Sequence, residues 1–90
     1  MAIVRIPPVL RPSTGGVKEV DATGENVGDV LRSLADAHPA TQAQLFAAGG
    51  ELNRYVNVYL NGQDVRYLQG LDTPVGPRDE LRLLPAMAGG

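Results

Sequence analysis

The chain has no cysteine and no tryptophan, and only one histidine, one lysine and one phenylalanine in 90 residues. Without cysteine it can form neither a disulfide nor a thiolate metal site, and it has no thiol nucleophile. With His38 as the sole histidine, no His/Cys metal set or Cys-His pair can be built, and Ser13 and Ser33 have no other base to activate them. His38 itself ends a helical pattern just before Pro39, where an imidazolium suits the negative end of a helix, so a structural role is expected of it.

Other absences narrow the field further. Residues 1–10 contain Arg5 and two prolines, and nothing in the chain approaches the run of about 20 apolar residues that a membrane span needs. The expectation is a cytoplasmic protein with no membrane partner. A net charge of −2 opposes nucleic-acid binding, which shows itself as a basic face. Asp79-Glu80 is an adjacent pair of carboxylates, but strand neighbours point to opposite faces, so it is no acid/base dyad. The glycines form no phosphate loop with a following Lys and Ser/Thr. Taken together, these absences point away from an enzyme, and no bound metal or cofactor is expected.

What is present is ordinary globular material, 43% hydrophobic and 20% charged. A chain of this length forms one domain and buries roughly 60–65% of its unfolded surface, so it has one modest core. Residues 2–6 alternate, with Ala2, Val4 and Ile6 opposite Ile3 and Arg5, which predicts a half-buried strand. Pro7-Pro8 ends it and residues 9–16 read as a loop closed by Thr14-Gly15-Gly16. A second strand is predicted over 17–22, completing a hairpin with a long connection.

Asn26 can accept a free N–H of a first helical turn, and Val27, Val30, Leu31 and Leu34 then fall at i, i+3, i+4 and i+7. This predicts the main helix, ending at His38. Thr41 with Gln44 resembles a capping box for a short second helix through Leu45 and Phe46, stopped by Gly49-Gly50. Residues 55–61 form the strongest strand, with Val56, Val58 and Leu60 on one face and Tyr55, Asn57 and Tyr59 on the other. Asn61-Gly62 is a tight-turn dipeptide, a brief strand is expected over 64–67, and Leu71 and Val75 are expected to anchor the turn-rich stretch 70–78. The last strand is predicted over 80–84.

Pro85 lacks the N–H a sheet ladder uses, so pairing is expected to stop there. The domain then comprises residues 1–84, and residues 85–90, Pro85, Ala86, Met87, Ala88, Gly89 and Gly90, form a flexible tail. Six extended residues reach roughly 20 Å, and a Gly-Gly end, having no Cβ, can enter a narrow channel.

A strand-strand-helix-strand-strand-strand order with a projecting Gly-Gly end resembles the β-grasp, ubiquitin-like fold and, within it, the ThiS/MoaD family of sulfur carrier proteins. The resemblance rests on the terminal segment Asp79-Glu80-Leu81-Arg82-Leu83-Leu84-Pro85-Ala86-Met87-Ala88-Gly89-Gly90. A closer likeness is to the family's carriers for cysteine biosynthesis. It is carried by Leu10-Arg11-Pro12, Thr14-Gly15-Gly16, Arg54-Tyr55-Val56-Asn57-Val58-Tyr59, Asp64-Val65-Arg66-Tyr67 and the tail itself. Ser13 and Met87 depart from that pattern, where a histidine and a smaller aliphatic residue are expected.

The resemblance implies an α+β fold with a mixed four- to five-stranded sheet packed on one main helix. It implies that Gly90 is adenylated by an E1-like, ATP-using enzyme and converted to a thiocarboxylate. A partner synthase then takes the sulfur; a cysteine synthase is favoured, with a metalloprotease as a further partner, over thiazole, molybdopterin or thiosugar synthesis. A modifier joined through Gly90 to target lysines is the alternative. If the apolar strand faces meet the helix, Ile3, Arg5, Tyr59, Arg82 and Leu84 share the outer face of the sheet as a candidate partner-docking surface.

Overall fold

The alternation in the first residues produces strand β1, Ala2–Arg5, with Ala2 and Val4 buried and Ile3 turned outward. The computed structural model describes residues 2–85. After β1 come β2, Glu19–Ala22, helix α1, Val27–Ala37, and the single turn α2, Gln42–Leu45. Strands β3, Val56–Leu60, β4, Gln63–Asp64, and β5, Glu80–Pro85, complete the order. They form one five-stranded sheet, β2-β1-β5-β3-β4. Only the central β1–β5 pair is parallel, which makes the sheet mixed and the architecture α+β, as the resemblance implied.

One side of the sheet carries the core. Asn26 caps α1 by accepting the Asp29 N–H at 2.8 Å, and Val27, Val30, Leu31 and Leu34 are fully buried. They meet Ala2, Val4, Val56, Val58, Leu81 and Leu83 from the strands and Ile6 just past the end of β1. Each such large side chain contributes roughly 1.5–3 kcal/mol before entropy is counted. Gly28 lets the 70–75 connection lie close against the helix: a Cβ there would stand 3.2 Å from the Leu71 carbonyl oxygen. Leu71 and Val75 anchor that connection in the core.

Several local expectations are corrected. The stretch read as a loop over 9–16 is largely a 3₁₀ helix, Pro8–Thr14, and β2 starts at Glu19 rather than Val17. Proline's fixed φ suits a 3₁₀ turn, Leu10 is buried, and the buried Thr14 hydroxyl lies 3.2 and 3.1 Å from the Arg11 and Val17 carbonyls. Thr41 does not cap α2. Its backbone is already helical within a 3₁₀ turn, Pro39–Thr41, and its hydroxyl donates to the His38 carbonyl at 2.8 Å.

The strand expected over 64–67 ends at Asp64. The Asp64 carboxylate accepts the Arg66 N–H at 2.9 Å, an Asx turn that bends the chain into a 3₁₀ helix, Val65–Tyr67. The Asn61-Gly62 turn between β3 and β4 forms with both residues at positive φ, 50° and 90°. Finally, β5 runs through Pro85, one residue beyond its expected end. Proline is tolerated because β1 pairs with β5 only as far as Arg82, so beyond that rung one side of β5 has no strand neighbour to supply with an N–H.

Candidate docking face and tail exit

Strand register decides what lies together on the side of the sheet away from α1. Arg82 of β5 stands between Arg5 of β1 and Tyr59 of β3, so these three side chains occupy one rung across the centre of the sheet. Glu19 extends that rung on the β2 side and Asp64 on the β4 side. The next rung pairs Asp21, Ile3 and Glu80, and Leu84 lies opposite Asn57 on the other side. Thus the structure brings Ile3, Arg5, Tyr59, Arg82 and Leu84 onto one outer face, with Ile3 37% and Leu84 38% exposed.

Interleaved carboxylates make this face different from the apolar and Arg/Tyr surface the residue pattern suggested. Arg5 Nη1 donates to Glu19 Oε1 at 2.6 Å, and Arg5 Nε lies 2.8 Å from Glu80 Oε1. Its contact with Glu80 first, and the charge of Glu19 second, hold the guanidinium pKa above its ordinary value. Arg82 is more loosely held, 3.7 Å from the same Glu80 oxygen, and more than half of its side chain is open to solvent. Glu19 and Glu80 were not among the expected face residues; alternation along β5 sets Glu80 beside Arg82, and the β1–β2 register sets Glu19 opposite Arg5.

At the far end of β5 the last rung is Val56 opposite Pro85. Arg66 clamps the strand facing it: Nη1 donates to Asn57 Oδ1 at 2.8 Å, and Nη2 to the carbonyls of Val56 at 2.8 Å and Asn53 at 2.9 Å. Beside Pro85 lies a shallow apolar groove of about 290 Å³, bordered by Val9, Leu10, Tyr55 and Val56. Tyr55 is 63% exposed and stacks under the Arg54 guanidinium at 5.0 Å. The expected tail residues Ala86, Met87, Ala88, Gly89 and Gly90 lie outside the described residues; Pro85 is a strand residue.

Elsewhere the chemistry is sparse. Among the described residues, no three His, Cys, Asp or Glu side chains group as a metal site would require, and no helix is long and apolar enough to cross a membrane. His38 closes α1, with its backbone N–H donating to the Leu34 carbonyl at 2.8 Å. Asp79 holds the turn before β5, accepting from the Gly76 N–H at 2.7 Å and from Asn61 Nδ2 at 3.0 Å. These two donors, the backbone one first, keep its carboxyl below the ordinary carboxylate range.

Comparison with known proteins agrees with the fold. Residues 4–90 match the model of the ThiS family. The sulfur carrier protein CysO of Mycobacterium tuberculosis is 42% identical over 89 residues, covering 97% of this chain and 96% of the relative. Small archaeal modifier protein 1 of Haloferax volcanii is 42% identical over 72 residues, covering 79% and 78%. Among solved structures, a chain of the Amycolatopsis orientalis BexX/CysO complex superposes with a TM-score of 0.91 at 40% identity, each chain being covered in full.

Proposed function

Since the chain belongs to the ThiS family, we propose that it is a sulfur carrier whose reacting group is the C-terminal carboxylate of Gly90. The observation that carries this reading is a likeness to CysO over nearly the full length of both chains, together with a family match that runs through residue 90.

A carboxylate is a poor acyl donor. An E1-like enzyme joins it to the AMP portion of ATP with release of pyrophosphate, and a sulfur nucleophile then displaces AMP to leave the thiocarboxylate. The product is an anion with a polarizable, nucleophilic sulfur that attacks an electrophile held by a partner synthase. The carrier is therefore not itself the catalyst. Beyond Pro85 five residues remain, enough when extended to reach roughly 17 Å into a partner. Gly89 and Gly90 keep the tip slender, while Ala86, Met87 and Ala88 set the reach. Ile3, Arg5, Tyr59, Arg82 and Leu84 form the surface that docks.

The likeness to CysO favours a cysteine synthase that accepts an activated serine as the recipient, with a metalloprotease releasing the product. In the test, the chain is incubated with a competent activating enzyme, ATP and a sulfur source, and its intact mass is measured. Exchange of one C-terminal oxygen for sulfur is expected; an unchanged mass would sink the reading. The likeness to a modifier protein supports a second reading, conjugation through Gly90 to lysines. Gly-Gly remnants on lysines of other proteins in cell extract would establish it, and their absence would dismiss it.

A further inference from the structure

The net charge is −2, yet basic side chains collect beside the tail exit. A groove of about 320 Å³ lies between the 3₁₀ helix Pro8–Thr14 and the end of β5, with Arg5, Arg11, Lys18, Arg82 and Leu84 along it and Glu19 as its one carboxylate. The backbone of Ile6 draws two of the cations together. Its N–H donates to the Lys18 carbonyl at 2.8 Å, and its own carbonyl accepts from Arg11 Nε at 3.1 Å. The preceding residue, Arg5, is the rung partner of Arg82.

These charges are not equivalent. Arg5 is neutralised by Glu19 and Glu80. Arg11 and Lys18 form no ion pair among the described residues, and Arg82 has only the 3.7 Å approach to a carboxylate that Arg5 already holds. Two cations thus line the groove with no ion pair among the described residues and a third with only a loose one, while most of the molecule's carboxylates lie elsewhere. Lys18 is the chain's single lysine, placed here by the Gly15-Gly16 turn, both glycines at positive φ.

Resting on the carrier reading, we propose that this groove receives an acidic segment of the enzyme that activates the tail, with Arg11, Lys18 and Arg82 pairing with its carboxylates. The groove adjoins Leu84, so such pairing would fix the register of the carrier just where β5 delivers the chain to Pro85. Glu19 and Glu80 beside the groove disfavour a polyphosphate backbone, whose charges could not avoid them, whereas a peptide can space its carboxylates to do so.

The test uses the full chain, labelled with nitrogen-15 and titrated with a polyglutamate peptide. Saturable amide shifts confined to the neighbourhood of Ile6, Arg11, Lys18 and Arg82 are expected, weakening as salt is raised. The double variant K18Q/R82Q removes two exposed charges and should bind about tenfold more weakly, the sum of two surface pairs, at unchanged melting temperature. Scattered shifts, equal binding by the variant, or tighter binding of a single-stranded oligonucleotide overturns the proposal. Activation separates this idea from its premise: with the activating enzyme, thiocarboxylate should form on the variant about tenfold more slowly at limiting carrier. Equal rates overturn the groove and leave the carrier intact. If even the wild-type chain gains no sulfur, the carrier reading fails, and the groove's proposed partner fails with it.

Discussion

Pro85 stands opposite Val56 on the final rung of the β3–β5 ladder, and the carbonyl of Val56 is held by Arg66 at 2.8 Å. The point at which the chain leaves the sheet is therefore braced from the far side of β3, by a residue outside both strands.

Replacing Arg66 with alanine should cost about 1–2 kcal/mol, since three hydrogen bonds from one guanidinium are lost at an exposed position. Chemical denaturation measures it. Arg66→Lys should recover less than half of the loss, because an ammonium cannot span Asn57, Val56 and Asn53 as the planar fork does. Full recovery by lysine would show that charge alone matters.

Leu84→Asp should leave the melting temperature within about 2 °C of the parent, as Leu84 lies on the solvent side of β5. If the outer face docks partners, the same change should raise the apparent KM for the carrier in a reconstituted sulfur-transfer assay by about tenfold or more, with little change in kcat. An unaltered KM would remove Leu84 from the interface.

Asp79 links stability to pH. Its carboxyl pKa in the fold is lowered from an ordinary value of 3.8 by the Gly76 N–H and Asn61. A depressed folded pKa means the unfolded chain takes up the proton first as pH falls. The stabilisation is thus complete above the ordinary value and is lost as pH falls through the lower, folded one. Thermal unfolding of Asp79→Ala beside the parent, from about pH 6 down to pH 2, should show a gap in melting temperature that narrows on acidification. A gap that widens would mean the sign is wrong.

Gly24→Ala should destabilise by about 1–3 kcal/mol, because an added Cβ would stand 2.6 Å from the Val30 nitrogen and 2.8 Å from the Asp29 carbonyl carbon, backbone that cannot swing aside. Differential scanning calorimetry should register this as a drop of several degrees. Gly15→Ala makes a useful contrast. It meets no atom within 4 Å, and any cost there comes from its φ of 67° alone.

Local signals were strong wherever a residue's neighbours in sequence were also its physical constraints. The Val27, Val30, Leu31, Leu34 spacing marks the buried face of α1, Asn26 marks its start, and Asn61-Gly62 marks the β3–β4 turn. Inward and outward positions in β1, β3 and β5 follow from period-two alternation, so the sequence alone put Ile3, Arg5, Tyr59, Arg82 and Leu84 on one side. It also carries a composition with no cysteine and a single histidine, and the Gly-Gly end.

The tertiary structure decided everything that depends on residues distant in the chain. The parallel β1–β5 pairing sets Arg5 beside Arg82, and with it the sharing of Glu80 that neutralises one arginine and leaves the other open. The 3₁₀ path of Pro8–Thr14, held by the buried Thr14 hydroxyl, brings Arg11 and Lys18 onto the two backbone groups of Ile6. No periodicity encodes such meetings. They arise because the helix must cover one face of the sheet, and the strand order that permits this determines which charges share the other.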